Sequence, residues 1–334
     1  MNGVPTSQPS YRLDSTGPNV ATNTTSMNHP PKQLDVTNPS MGYLYASLSA
    51  MMASVLIVSG KWTLHSISPL ALSALVFPIG AVILGLTMIP RKRWKRIFAL
   101  DRRGWSWTVI FSVLAFVAIW TYWIGLKMMD PTLASFLNRS ETLVTISLGI
   151  LILGERFSRE EGFGAFLVLA GIVLMKFTFR AEYSAGFWVV LFSAVCFGTA
   201  EFIAKIAVRY VDPVTLSFLR NVISSVLFWI AVAFVGTSFE GVGSVWWGIL
   251  IIAFAGPILT RPIYLYALKH IEVSKVALIN QSQPVFVAIL ALVALSQTPA
   301  PREIIGGIFV IGGCLLIIIS RRKVRPRDAL RLGQ

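Results

Sequence analysis

Ten long apolar stretches run through the chain and limit what it can fold into. A helix needs roughly 20 apolar residues to cross the hydrocarbon core of a bilayer, and each stretch meets that length within tolerance. Only helices and closed barrels satisfy their backbone in lipid, and these runs are too long to be the alternating segments of a barrel. The pattern predicts an all-α, polytopic membrane protein with ten transmembrane helices. The stretches cover residues 41–60, 69–89, 105–125, 131–153, 161–178, 186–207, 213–236, 246–267, 273–295 and 303–320.

The composition excludes a soluble domain and sets the first segment apart. Only 13% of the 334 residues are charged, whereas soluble domains carry about 25%. Residues 1–40 are different, because they are rich in Ser, Thr, Asn and Pro and poor in large apolar side chains. Such a segment cannot bury enough surface to offset its ordering entropy, and it lacks the pattern of a signal peptide. We expect residues 1–40 to form a disordered cytoplasmic tail.

The positive charge of the chain is distributed as in a membrane protein. The net charge is +14, and 13 of the 29 Lys and Arg residues lie in two blocks, "RKRWKRIFALDRR" and "RRKVRPRDALRLGQ". With the N-terminus inside, 21 Lys and Arg residues fall on the inner side and five in outer loops. This asymmetry predicts cytoplasmic termini, a basic cytoplasmic tail at residues 321–334 and a multi-pass location in the cell membrane. It argues against nucleic acid as a partner, and anionic lipid remains an alternative for the basic blocks.

The second half of the chain repeats the first. When residues 126–174 are aligned with residues 268–316 without a gap, eleven of 49 positions are identical, among them Asn138 with Asn280. The region before them repeats at an offset of 144, with Lys61 matching Lys205. Each repeat holds five spans, an odd number, so the second repeat enters the membrane upside down. The sequence therefore predicts two inverted five-helix repeats, at residues 41–178 and 186–320, an architecture that suits alternating access around a site near the midplane.

These features resemble the EamA-like branch of the drug/metabolite transporter superfamily. The resemblance rests on several short motifs that occur in the same order in both halves of the chain. It covers residues 41–320. In the second half, "YALKHIEVSKVALINQSQPVFVAIL" is similar to the repeated signature of the family. The first-half motifs are the basic loop after span two, Leu126-Lys127, Pro131, Leu153-Gly154-Glu155, and the glycines Gly164 and Gly171 of span five.

Two positions depart from the family pattern. Ser296-Gln297 replaces the second Gly-Glu, and Val76 stands where an Arg is usual in span two, although Arg220 holds the counterpart in span seven. These departures concern the functional symmetry of the halves, not the fold. The resemblance implies ten helices around a central cavity and export or import of small organic solutes. It leaves the substrate open.

A band of polar residues lies inside the fourth and ninth spans. If span four begins near Pro131 at the outer side, Arg139 and Glu141 lie ~12 and ~15 Å deep in a continuous helix. Charges at that depth are costly and rarely face lipid, so the band is a candidate substrate and coupling site. Arg139 and Glu141 are not expected to pair within one helix, because they point roughly 200° apart. Helix–helix attachment is the structural alternative. The candidate residues are Asn138, Arg139 and Glu141, with Asn280 and Gln283 in the second repeat.

A second charged group is predicted deeper in the membrane. Glu201, Arg220 and Arg261 fall at a similar depth, ~10 Å from the inner side, at helical rise. A Glu201–Arg220 or a Glu201–Arg261 pair is expected there, as a gate or structural salt bridge, with substrate contact as the alternative. Lys61 and Lys205 lie near span ends, so we assign them to membrane topology.

The sequence favours a secondary transporter of a small organic metabolite over other functions. The two cysteines and three histidines form no metal-ligand spacing, and no glycine-rich nucleotide loop lies outside the spans, so no metal or cofactor is expected. The solute could be an amino acid, another metabolite or a drug-like molecule, moved by proton coupling or exchange, and a homodimer is left open. A passive channel is the main alternative. A membrane enzyme acting on a lipid-linked substrate is disfavoured, since interfacial acidic or histidine clusters are missing from the sequence.

Overall fold

The computed structural model describes residues 39–89, 94–153, 159–176, 184–207, 210–270 and 279–329. Within these ranges the regular structure is helical throughout. The helices, in chain order, are α1 (Pro39–Thr63), α2 (Pro69–Met88), α3 (Trp94–Phe98), α4 (Arg102–Met128), α5 (Pro131–Asn138), α6 (Glu141–Leu153), α7 (Arg159–Lys176), α8 (Ser184–Ala207), α9 (Pro213–Val235), α10 (Val242–Ala253), a π-helical segment (Phe254–Thr260), α11 (Arg261–His270), α12 (Gln283–Leu295) and α13 (Pro301–Ala329).

Among the described residues, seven helices are long and apolar enough to cross a membrane: Ser40–Thr63, Pro69–Met88, Arg102–Met128, Ala185–Ala204, Val214–Val235, Val242–Thr260 and Pro301–Ser320. The predicted fourth stretch is instead two helices, of 8 and 13 residues. The fifth stretch is the 18-residue helix α7, which carries charged residues at both ends. The ninth stretch lies partly outside the described residues and continues as the 13-residue helix α12.

The two predicted tails are described only in part. Of residues 1–40, the first 38 lie outside the described residues. At the other end, α13 continues through Ala329, so most of the segment predicted as a basic tail is helical, and the last five residues lie outside the described ranges.

Matching caps begin two helices at equivalent repeat positions. Pro69 opens α2 after Ser68, whose side chain accepts a hydrogen bond from the amide of Ala71 at 3.1 Å. Pro213 opens α9 after Asp212, whose side chain accepts one from the backbone amide of Thr215 at 3.4 Å. A cap residue followed by proline suits the first helical turn, because that turn has no internal acceptor for its amides. The paired prolines of the sequence therefore mark helix starts.

The most extensive helix contacts join the first half of the chain to the second half. The most extensive contacts are between α4 and α8, between α7 and α13, and between α2 and α9. Helix α1 packs along α10, the π-helical segment, α11 and α12. The interior between them holds mainly apolar side chains together with some buried polar ones, and the outward faces of the helices carry large exposed apolar side chains such as Phe234 and Val293. Exposed apolar surface of this kind suits contact with lipid.

Glycines let α7 and α13 approach closely. A methyl group on Gly164 would lie 2.8 Å from the carbonyl oxygen of Gly313, and one on Gly171 would lie 2.6 Å from that of Gly306. Gly164 and Gly306 are equivalent in the repeat alignment, as are Gly171 and Gly313. Gly164 thus contacts Gly313, which is the repeat equivalent of Gly171. Gly171 contacts Gly306, which is the repeat equivalent of Gly164. Small residues at a helix crossing permit such close backbone packing in membranes.

Candidate functional site

The fourth apolar stretch breaks at its polar residues. Helix α5 ends at Asn138, Arg139 and Ser140 form a turn, and α6 begins at Glu141. The hydroxyl of Ser140 donates to the carbonyl oxygen of Leu137 at 2.7 Å, and the backbone amide of Ser140 donates to the same oxygen at 3.1 Å. Every residue from Pro131 to Ser140 is buried. The turn therefore lies inside protein, where irregular backbone at membrane depth is tolerated.

The ninth stretch breaks at the equivalent position. Gln281 and Ser282 form a turn, and α12 begins at Gln283. The hydroxyl of Ser282 donates to the carbonyl oxygen of Ile279 at 2.6 Å, and its backbone amide donates to the same oxygen at 2.9 Å. Ile279 and Ser282 are the repeat partners of Leu137 and Ser140. The same turn, closed by the same serine, thus occurs once in each half of the chain.

Asn138, Arg139 and Glu141 contact one another around the first turn. Asn138 Nδ2 donates to Glu141 Oε2 at 3.3 Å, and Arg139 Nη2 lies 3.4 Å from Glu141 Oε1. The prediction that Arg139 and Glu141 do not pair was wrong. It assumed a continuous helix, whereas the turn brings the two side chains to the same side. Their fractional side-chain exposures are 10% and 20%.

The two turns contact each other directly. Arg139 Nη1 donates to the carbonyl oxygen of Asn280 at 3.5 Å, and Gln281 Nε2 donates to Thr142 Oγ1 at 3.3 Å. Cys314 Sγ also donates to the carbonyl oxygen of Arg139, at 3.4 Å. The structure therefore brings the first-repeat candidates together with Asn280, through its backbone. Gln281, which was not among the candidates, makes the side-chain contact.

The candidate Gln283 contacts α1. It is buried, and its backbone carbonyl oxygen accepts a hydrogen bond from Ser54 of α1 at 3.2 Å. On the other side of the turns, Thr145 Oγ1 donates to the carbonyl oxygen of Gly198 in α8 at 2.9 Å. Helices α1 and α8, the first spans of the two repeats, thus each contact one of the broken spans.

Within the described part of the chain, several buried polar atoms around the turns lack a hydrogen-bond partner: Tyr122 OH, Asn138 Oδ1, Arg139 Nε and Gln281 Oε1. Tyr122 lies within electrostatic reach of both Arg139 and Glu141. Buried polar groups are usually paired, since each unpaired group costs about 1–3 kcal/mol. Unused donors and acceptors concentrated at one place provide polar contacts for a solute or for water.

The deeper charged group contains one close ion pair. Arg261 Nη2 lies 2.6 Å from Glu201 Oε1, which settles the two pairings left open by the sequence. Arg220 is buried and instead donates from Nη2 to Asn221 Oδ1 at 3.1 Å. Arg261 lies directly after the π-helical segment, where the hydroxyl of Thr260 donates to the carbonyl oxygen of Ala255.

The two predicted groups of charges form one cluster. Glu141 lies within electrostatic reach of Arg139, Glu201 and Arg261, and Arg220 lies within reach of Glu201 and Arg261. The sequence analysis placed these groups at two depths. The rise per residue gives the position of a side chain along its own helix, but it does not give the distance to side chains of neighbouring helices. Within the described ranges, no three His, Cys, Asp or Glu side chains are placed to hold a metal ion.

Lys61 has a role that the sequence did not predict. It is buried, and its Nζ donates to the carbonyl oxygens of Leu126, Lys127 and Met129 at 3.0, 3.1 and 2.8 Å. These carbonyls end α4, where a cation is favoured by unpaired acceptors and by the helix dipole. Lys61 thus joins α1 to the end of α4. The side chain of its equivalent, Lys205, lies outside the described residues.

The sequence profile of the EamA-like transporter family matches the chain twice, over residues 40–177 and 184–319. The chain belongs to this family. The resemblance inferred from its motifs is therefore confirmed. The EamA-like chain is a multi-pass membrane protein of a transporter family.

Curated relatives and a solved structure agree with this assignment. The uncharacterized transporter YoaV of Bacillus subtilis is 23% identical over 80% of this chain and 94% of its own length. The uncharacterized transporter YyaM of the same organism is 24% identical over 81% and 92%. An uncharacterized transporter of Synechocystis is 19% identical over 84% and 85%. A crystal structure that is 20% identical superposes with a TM-score of 0.62, covering 85% of this chain and 99% of the other, and supports the fold.

Proposed function

We propose that this EamA-like protein is a secondary transporter that moves a small organic solute by alternating access. It has ten transmembrane helices in two inverted repeats, residues 41–178 and 186–320, with both termini in the cytoplasm. The observation that carries the proposal is the pair of equivalent breaks, closed by Ser140 and Ser282. Hydrogen bonds from Arg139 to Asn280 and from Gln281 to Thr142 join the two breaks. Interrupted helices at corresponding positions of two repeats are typical of transporter binding sites, because they expose polar backbone and side chains inside the bilayer.

The packing pattern supports the inverted arrangement. In the proposed numbering of spans, α4 against α8 is span three against span six, and α1 against α10 and α11 is span one against span eight. Span three is equivalent to span eight, and span six is equivalent to span one. The two contacts are therefore related by exchange of the repeats. Likewise, α2 against α9 and α7 against α13 each join a span to its own equivalent. A two-fold relation between the halves accounts for all four contacts.

The substrate and coupling site is formed by Asn138, Arg139, Glu141, Asn280 and Gln283. Glu141 holds either a proton or a cationic group of the solute, and Arg139 is its countercharge when neither is bound. The two groups lie 3.4 Å apart and their side chains both retain partial exposure, so a solute group can compete for either of them. The amides of Asn138 and Gln283 orient the solute.

The Glu201–Arg261 pair closes one side of the site, and Arg220 lies beside it. Arg261 follows the π-helical segment, a distortion that is frequent at functional sites because it interrupts the regular hydrogen-bond ladder. A change in that segment would move Arg261 relative to Glu201. We propose that breaking this ion pair accompanies opening toward the cytoplasm.

Transport in proteoliposomes tests the proposal. Purified protein is screened against radiolabelled amino acids, carboxylates, nucleosides, sugars and quaternary amines, and uptake is compared with and without unlabelled solute inside. A carrier accelerates uptake when its solute is present on the opposite side, whereas a passive channel does not. Asn138→Ala and Glu141→Gln should reduce that exchange, while Glu160→Gln on the exposed start of α7 should not. Unchanged exchange in both site variants would remove this assignment.

A further inference from the structure

Arg220 is a buried cation that makes no ion pair with a carboxylate among the described residues. Its fractional exposure is 8%, its Nη2 donates to Asn221 Oδ1 at 3.1 Å, and its Nε has no hydrogen-bond partner in the described ranges. The other two arginines of the cluster each have an acidic partner, because Arg139 lies beside Glu141 and Arg261 beside Glu201. Among the described ionised side chains, the cluster therefore carries one unmatched positive charge.

The groups next to Arg220 are unused donors. Asn221 Nδ2 and Ser224 Oγ are fully buried and have no partner in the described structure. Ser224 lies about one helical turn after Arg220 on α9. The guanidinium of Arg220, the amide of Asn221 and the hydroxyl of Ser224 therefore lie within about one turn of the same helix. Pro257 of the π-helical segment and Gly80 of α2 lie against this place, since a methyl group on Gly80 would be 2.8 Å from Pro257 Cβ and 3.3 Å from Asn221 Nδ2.

A bound anion would compensate both the unmatched charge of Arg220 and the unpaired donors of Asn221 and Ser224. A charge inside the bilayer costs several kcal/mol unless it is compensated, and unpaired buried donors add to that cost. A small anion supplies both the missing charge and several acceptor oxygens. A carboxylate suits the planar donor fork of arginine, because two parallel N–H···O bonds can form.

We propose that Arg220, Asn221 and Ser224 form an anion site that takes the carboxylate group of the transported solute. The assignment rests on the proposed transport function and narrows its substrates to carboxylate-bearing solutes. Arg220 supplies the charge, and Asn221 and Ser224 supply further hydrogen bonds. A free inorganic anion such as chloride shares the required charge, so the test has to separate the two sources.

Thermal unfolding of the purified full-length protein provides that test. Acetate and chloride are each titrated at constant ionic strength, with the bulky disulfonate buffer PIPES as the balancing salt, and acetamide serves as the uncharged analogue of acetate. We expect a saturable rise in Tm with acetate and none with acetamide. Arg220→Gln should weaken the apparent affinity for acetate by about tenfold or more, since it removes a charge-assisted contact. Arg102→Gln, at an exposed arginine at the start of α4, should leave it unchanged.

The outcomes separate this site from the transport function. A rise with chloride alone, no saturable rise with acetate, or an equal rise in Arg220→Gln would overturn the carboxylate site. If Arg220→Gln does not fold, the pair Asn221→Leu and Ser224→Ala keeps the guanidinium and should still weaken acetate binding. Glu141-dependent exchange without an acetate effect would leave transport standing and remove only the anion site. An Arg220-dependent acetate effect without exchange would support the anion site and remove the proposed transport function.

Discussion

Ser140 and Ser282 close the same turn in the two halves of the chain. Each hydroxyl donates to the carbonyl oxygen three residues earlier, Leu137 at 2.7 Å and Ile279 at 2.6 Å. Each carbonyl also accepts the backbone amide of the same serine, so the hydroxyl adds a second hydrogen bond that stabilises the turn. The two turns then present the polar residues around them to each other.

Replacing Glu141 by Gln tests proton coupling. The amide keeps the size of the side chain and can still bond Asn138, but it cannot gain or lose a proton. We expect solute-for-solute exchange to be reduced, and uptake driven by a pH gradient to fall further, by about 5- to 150-fold relative to exchange, the range of a typical coupling free energy. Proteoliposome uptake with and without a pH gradient measures both. Equal dependence on the gradient in wild type and variant would exclude Glu141 as the proton carrier.

Replacing Gly198 by Ala tests the packing behind the site. The added methyl group would lie 2.5 Å from the carbonyl oxygen of Glu141 and 2.7 Å from Val144 Cβ, so α8 and α6 must separate. We expect a loss of about 1–3 kcal/mol in stability and reduced transport. The control is Gly312→Ala in α13, where a methyl group would meet nothing within 4 Å. Equal melting temperatures for the two variants would contradict this packing.

Replacing Lys61 by Met tests the joint between α1 and α4. The change leaves three carbonyl oxygens at the end of α4 without their donor. We expect a loss of about 1.5–3 kcal/mol, since the lost hydrogen bonds involve a charged group. Lys127→Met is the matched control, because exposed Lys127 makes a single 3.4 Å contact with the carbonyl oxygen of Ile67. If unfolding in detergent gives Lys61→Met the wild-type Tm, Lys61 is not a stabilising joint.

Exchanging the charges of Glu201 and Arg261 tests their pairing in transport. Either reversal alone, Glu201→Arg or Arg261→Glu, places two like charges at the site of a 2.6 Å contact and should abolish exchange. The double reversal restores opposite charges and should recover part of the activity, since contacting residues are coupled by about 0.5–3 kcal/mol. A double variant no more active than the single ones would show that attraction between these two side chains is not what matters.

The sequence predicted the helical membrane class and the family, because long apolar runs and doubled motifs are properties of composition and order. It did not predict the breaks at Arg139 and Gln281. Two half-helices and one continuous helix bury the same apolar side chains, so hydropathy does not distinguish them. The sequence did contain a signal, since Ser140 and Ser282 repeat inside apolar runs. In span eight the sequence carries Gly256-Pro257, and both residues lie in the π-helical segment.

The side-chain contacts were harder to predict. The identity of the candidate residues followed from the cost of placing charge in a bilayer, but their partners depend on lateral packing. The hydrogen bonds of Lys61 could not be predicted for this reason, because its distance along α1 places it near a span end, whereas its acceptors come from α4. The sequence pattern likewise could not choose between Arg220 and Arg261 as the partner of Glu201.

Accessibility of single cysteines measures the inverted arrangement most directly. In a background with Cys196 and Cys314 replaced by Ala, one cysteine is placed at Ser184, the start of α8, and another variant carries it at Gln334. Intact cells are treated with a membrane-impermeant maleimide before and after permeabilisation. Because five spans separate the two positions, Ser184→Cys should react in intact cells and Gln334→Cys only after permeabilisation. Reaction of both positions from the same side would contradict two halves of opposite orientation, and with them the proposed carrier.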